Sequence, residues 1–236
     1  MNRILSLLFL SIFSVASIAQ TPDDLFKIGA QNFADGNFME ALAALDNAIS
    51  KEKKKPTYYL KRGETKMALG NDIGAIQDFN KVIELDAKNS LAYAQRSAVF
   101  INLKDFKSAI EDCNMAISLN PDNSLAHLRL GNAFSRQKEY IEAMKAYNAA
   151  IKLDEYNLEA FYSRGEAKKE LGDYLGAVQD FNKAIKIDSE HGMAYLQRGI
   201  TKSFLGDKAG ACIDWSIAGE LGASEAYDYI RSKCNQ

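Results

Sequence analysis

A period of 34 residues constrains this chain more than any other feature of its sequence. The stretch from Leu158 to Glu190 finds itself again when slid by 34 residues in either direction. Gly131, Gly165 and Gly199 fall in register, as do Ala143, Ala177 and Ala211. Six registers result, starting at Pro22, Pro56, Ser90, Ser124, Leu158 and Gly192, with no insertion before the C-terminus. A fixed period of this length implies stacked units, each unable to bury its apolar face alone. The expected units are 22–55, 56–89, 90–123, 124–157, 158–191 and 192–223.

Within a unit, Phe161, Arg164, Gly165 and Lys168 recur at helical spacing, Leu171-Gly172-Asp173 interrupts, and Tyr174, Ala177, Val178, Phe181, Ala184 and Ile185 resume it. This pattern predicts two antiparallel amphipathic helices, A and B, joined by a tight turn. Gly172 stands where helix A needs a left-handed terminal residue, as do Gly36, Gly70 and Gly206. Asp173, with Asn37, Asp72, Asp105 and Asp207 as counterparts, is expected to cap helix B, and Asn89, Asn123 and Asn157 the following helix A. Small residues fill place eight of each unit (Gly29, Gly63, Ser97, Gly131, Gly165, Gly199) and place twenty (Ala41, Ala75, Ala109, Ala143, Ala177, Ala211). Facing each other, they would let the two backbones approach closely. Place four carries Leu25, Tyr59, Tyr93, His127, Phe161 and Tyr195; place twenty-four carries Leu45, Phe79, Cys113, Tyr147, Phe181 and Trp215.

This pattern of an aromatic, Gly, Ala, aromatic and Ala at fixed places resembles the tetratricopeptide repeat (TPR) over residues 22–223. The departures are that only Pro121 keeps the closing proline, Arg precedes the Gly or its Ser substitute in four units, and Lys66, Lys168 and Lys202 replace the second aromatic. The resemblance implies an all-α, right-handed α-solenoid whose A helices line a concave face, and a binding role.

The ends differ from the middle. Arg3, the apolar run Ile4 to Val15 and the small pair of Ser17-Ile18-Ala19 are expected to form a signal peptide over 1–19, leaving Gln20 as the mature N-terminus. The apolar run is shorter than the ~20 residues of a spanning helix. No membrane span is expected after cleavage, and export to a periplasm or beyond follows. At the other end Ser224-Glu225-Ala226-Tyr227 begins what reads as a capping helix over 224–236, without a helix B.

No catalytic constellation is legible, and neither a cofactor nor a metal site is expected. His127 stands in an aromatic slot and reads as packed; His191 reads as part of a turn between units; neither has a partner at metal-ligand spacing. A net charge of −2 argues against a nucleic-acid surface. A protein or peptide partner is the expectation. An accessory subunit that touches glycan or peptidoglycan is the alternative, and an enzyme with an unrecognised site the less favoured one.

Arg62, Arg96, Arg164 and Arg198 occupy place seven, and Asp78, Asp112, Asp180 and Asp214 place twenty-three. Where Ile28 and Leu130 replace the Arg, Ala44 and Ala146 replace the Asp. Residues that switch together point to contact, so four structural Arg–Asp pairs between helices A and B are expected. The alternative is an Arg ladder for an anionic ligand. Family geometry places Lys61, Glu64, Gln95, Asn102, Arg129, Asn132, Arg136, Tyr162 and Glu166 on the concave side, a mix suited to a peptide. The clamp of chaperone-tail binders is not reproduced, because Ala94 and Ala98 occupy groove places. Finally, Cys212 on the last helix B and Cys234 at the far end of an antiparallel cap are predicted to form a disulfide, leaving Cys113 alone.

Overall fold

The computed structural model describes residues 20–234. The expected signal peptide therefore lies outside the described residues. Six A helices, α1 (Pro22–Ala34), α3 (Pro56–Ala68), α5 (Ser90–Asn102), α7 (Ser124–Arg136), α9 (Leu158–Glu170) and α11 (Gly192–Phe204), start at the six register points. They alternate with B helices α2 (Phe38–Lys51), α4 (Asp72–Leu85), α6 (Phe106–Leu119), α8 (Tyr140–Leu153), α10 (Tyr174–Ile187) and α12 (Lys208–Glu220). Each helix packs most extensively on its neighbours in sequence, which makes the molecule an all-α helical-repeat solenoid.

The turns follow local chemistry. Gly36, Gly70, Gly172 and Gly206 all have φ between 73° and 81°. Lys104 and Lys138 hold the same place in the third and fourth units at φ 61° and 64°, a region that disfavours any residue with a Cβ. Lys138→Gly is expected to stabilise the protein by about 0.5–1 kcal/mol, read as a rise in urea midpoint. Asn89, Asn123 and Asn157 accept from the third backbone N–H of α5, α7 and α9, as Asp105, Asp173 and Asp207 do at α6, α10 and α12. The expected Asp72 cap is corrected: Asn71 holds that place and accepts from Gly74 N–H, while Asp72 is the first residue of α4. Asn37 stands at the cap of α2 without a side-chain capping bond.

The place-eight glycines face place twenty, as expected, a Cβ on Gly199 lying 3.1 Å from the Ala211 carbonyl oxygen, and they also meet a larger neighbour. A Cβ on Gly131 would lie 2.4 Å from Tyr147 Cε1, one on Gly63 2.6 Å from Phe79, and one on Gly199 2.7 Å from Trp215. Place eight is thus roofed by the ring of place twenty-four, and the buried place-twenty alanines lie beside it. The third unit fits this rule: Ser97 replaces the glycine, and Cys113 replaces the ring. Both are fully buried, and burial pushes the Cys113 thiol up to about 11, so it stays protonated at neutral pH. Fully burying one such ring contributes roughly 1.5–3 kcal/mol. Gly131→Ala should lose about 1–3 kcal/mol through the displaced Tyr147, measurable by urea unfolding.

The helical part of the C-terminal cap starts two residues later than expected. It begins at Ala226 instead of Ser224, runs as α13 (Ala226–Tyr229), and widens into a π-turn over Ile230–Cys234. Tyr229 stacks on Trp215 with ring centroids 5.0 Å apart. Cys234 is joined to Cys212, with Cα atoms 5.8 Å apart. These two contacts hold the segment against α12. Among the described residues no helix is long and apolar enough to cross a membrane.

Candidate functional site: a groove along the A helices

Four Arg–Asp pairs are the first elements to place. Arg164 donates from Nε to Asp180 Oδ2 at 2.8 Å and from Nη2 to Oδ1 at 2.6 Å, and Arg62, Arg96 and Arg198 grip Asp78, Asp112 and Asp214 in the same way. The Asp carboxylates are buried, between 1% and 6% exposed. Two further contacts were not expected from the sequence. Lys66, Lys168 and Lys202 approach the same carboxylates at 2.8–2.9 Å. The remaining guanidinium nitrogen, Nη1, reaches back to the preceding unit, to Asp46, Asn80, Asn148 and Asn182. Every guanidinium is therefore engaged within the chain, and the arginines are not a free ladder for an anion.

The groove lies elsewhere. Asn102, Arg129, Asn132, Arg136, Tyr162 and Glu166 all line one hollow of about 940 Å³. Glu64 and Gln95 line an adjoining hollow of about 360 Å³ with Phe33, and Met67 lines both. Lys61 lies at its edge, bonded to Glu64 at 2.5 Å with its amine 4.6 Å from the Phe33 ring centroid. Ala98 lines the larger hollow too, while Ala94 is fully buried, so neither place supplies a charge.

The wall of the larger hollow is a polar network. Arg129 Nη1 and Asn132 Nδ2 both donate to Glu159 Oε1 at 3.0 Å, and the buried Tyr147 hydroxyl donates to Asn132 Oδ1 at 2.9 Å. Arg129 Nε is buried without a partner among the described residues. Burial raises the pKa of Glu166; Lys169 and a hydrogen bond from Tyr162 oppose the shift without cancelling it. A raised carboxyl pKa means this group favours the fold below the ordinary carboxyl range and weakens it as pH rises through its own value. Glu166→Gln should therefore stabilise the protein at pH 7 and leave it unchanged below about pH 4, as followed by thermal melts.

His191 lies in the turn between units, as expected, and has two contacts the sequence did not indicate. His191 caps α11, its Nδ1 accepting from Ala194 N–H at 3.1 Å, and its ring packs 5.3 Å from Tyr162 in the wall of the groove. His127 is only half-buried and contacts the Pro121 carbonyl through Nε2 at 3.0 Å. Glu159 was also missed, although it holds the second place of its unit, one of the concave set. Among the described residues no three His, Cys, Asp or Glu side chains are gathered to hold a metal.

Comparison with known proteins agrees with this architecture. Family models described as "TPR repeat" and "Tetratricopeptide repeat" match residues 131–172, and residues 56–89, 91–123 and 158–191, respectively. No curated protein sequence matches the chain. Among solved structures, MamA is 25% identical over 72% of this chain and 92% of its own, with a TM-score of 0.56. The Cut9–Hcn1 assembly of the APC/C superposes with a TM-score of 0.82 over 89% of this chain at 14% identity, the match spanning 42% of that chain. A tetratricopeptide repeat protein from Parabacteroides merdae gives 0.72 at 20% identity, over 91% of this chain and 84% of its own. The in-phase units, their A–B packing and the family matches agree: the chain belongs to the tetratricopeptide-repeat family, whose helical solenoids serve as protein-interaction scaffolds.

Proposed function

We propose that this protein is an exported, non-catalytic interaction module that holds an extended segment of a partner protein in its concave groove. The observation that carries the reading is the hollow of about 940 Å³, walled by residues of four successive units, Met67 in the second to His191 at the end of the fifth and Ala98, Asn132 and Tyr162 between. It offers donors, acceptors and aromatic faces along a line, which suits an extended backbone with alternating side chains. The net charge of −2 favours a protein partner over a nucleic acid. Export rests on the expected signal over 1–19, and the Cys212–Cys234 bridge supports it because such bonds persist in oxidising compartments.

A photo-crosslinking residue in place of Tyr162 tests the groove, with one in place of the exposed Ile73 on a B helix as the comparison. In the native envelope fraction the Tyr162 position should yield a discrete protein adduct and the Ile73 position none. Adducts at Ile73 alone, or retention on purified cell-wall glycan without a protein adduct, would replace this reading with the glycan-contacting one. Intact mass of the exported form should correspond to a chain beginning at Gln20.

A further inference from the structure

Glu64 and Glu166 hold the same place, the ninth, in the second and fifth units, and both line the groove. Their surroundings differ. Glu64 receives Lys61 Nζ on Oε2 at 2.5 Å and Gln95 Nε2 on Oε1 at 3.0 Å. In the register of Glu166, Ser163 stands where Lys61 stands, and Gln197 where Gln95 stands. Ser163 brings no charge, and Gln197 Oε1 is taken by Lys169 Nζ at 2.7 Å. Among the described residues the Glu166 carboxylate keeps one hydrogen bond, from the Tyr162 hydroxyl at 3.3 Å.

The other charges of this wall are committed or distant. Arg129 is bound to Glu159 at 3.0 Å. Lys169 acts on Glu166 through space, its amine being bonded to Gln197 at 2.7 Å and 3.7 Å from Glu170, with no ion-pair contact to Glu166. Arg136, exposed on the last turn of α7, acts on Glu166 only through space, without ion-pair contact. A carboxylate drawn into a wall and left with a single neutral donor costs free energy that a paired one does not. The chain pairs this group in one unit and leaves it open in another, on the same concave face.

We propose that Glu166 is the docking point for a lysine or arginine side chain of the segment held in the groove, with the Tyr162 ring flanking the incoming cation. The proposal rests on the groove-binding reading above. Tyr162 offers an aromatic face beside the carboxylate, an arrangement that favours an organic cation. A metal ion is a poor fit, since no further ligands gather there. Burial is the first cause of the raised Glu166 pKa, and Lys169 and Arg136, acting through space, oppose it without cancelling it.

Panning a phage-displayed random peptide library against the mature protein tests the proposal. Asn102→Trp, an exposed position that lines the same hollow, blocks the groove and marks which binders occupy it. Groove binders should share a Lys or Arg at one fixed position and weaken by about tenfold or more on Glu166→Gln, as expected for a lost charge-assisted contact. Panning against Glu166→Lys should return Asp or Glu at that position instead. Groove binders without a fixed basic residue, or with affinity unchanged by Glu166→Gln, would overturn the proposal and leave groove binding intact. If no binder is sensitive to Asn102→Trp, the groove reading itself fails and this proposal falls with it.

Discussion

Asp180→Ala is expected to destabilise the protein by about 3–5 kcal/mol, the loss typical of stranding a buried cation without its partner. The loss arises from what remains. Arg164 is 17% exposed and Lys168 16%, and both end on the Asp180 carboxylate, so one substitution leaves two cations facing an apolar interface. Changing Arg164→Leu as well removes one of them and should recover part of the loss. The fourth unit shows how to recover the rest, because Leu130, Phe134 and Ala146 occupy the three corresponding places there. The triple variant Arg164→Leu, Lys168→Phe, Asp180→Ala should return to within about 1–2 kcal/mol of wild type, since replacing a whole buried charge cluster by apolar residues is often neutral. Urea melts of the single, double and triple variants decide the matter. Equal losses in all three would show that the cluster is not an energetic unit.

Cys234→Ser should cost about 2–4 kcal/mol, but only at the C-terminal end of the solenoid. The bridge spans 22 residues and fastens a segment of one α-turn and one π-turn, too short to be stable alone. In a repeat array, stability is close to a sum of local terms, so releasing the cap frays its neighbour before it reaches the middle. The molecule carries its own reporter. Trp215 is the only tryptophan, is 1% exposed, and is covered by Tyr229 of the cap. Reduction or Cys234→Ser should red-shift its fluorescence well below the denaturant concentration at which helicity falls. Coincident fluorescence and circular dichroism transitions would show instead that the cap unfolds with the whole.

Much of this architecture could be read from one sequence because it is written six times. The Arg–Asp pairs were legible since two places change identity together at Ile28/Ala44 and Leu130/Ala146. The lysine in the same cluster was not, because the third unit has the Arg–Asp pair but carries Phe100 where the others carry Lys; the guanidinium of Arg96 lies 5.7 Å from that ring. Only half the role of the place-eight glycines was legible: they meet the place-twenty backbone as expected, and also the ring one turn further along helix B. Sequence spacing suggests small side chains facing each other, and the joint change to Ser97 and Cys113 was the signal that a ring lies over the glycine. The groove contact of His191 was not legible because its place, the last of a unit, shows only a turn; the fan of A helices brings it beside Tyr162. Partners across the groove, such as Arg129 and Glu159, sit in different units, and a repeat pattern carries no information about which neighbour a side chain will choose.

Mechanically, the solenoid is a row of plates fastened with directional rivets, and one rivet is missing. Arg62, Arg96, Arg164 and Arg198 each tie their unit to the one before it through Asp46, Asn80, Asn148 and Asn182. Between the third and fourth units Leu130 takes the place of the arginine, and Asn114, the corresponding acceptor, is exposed. That joint instead brings α5 and α7 together more extensively than any other successive pair of A helices, beside the small side chains of Ala94 and Ala98. Hydrogen bonds to a planar guanidinium fix an angle, whereas apolar contact is non-directional and tolerates rotation. Bending stiffness is therefore uneven along the molecule. The joint between the third and fourth units lacks the directional tie that fixes the angle of the other four, and the large groove spans it.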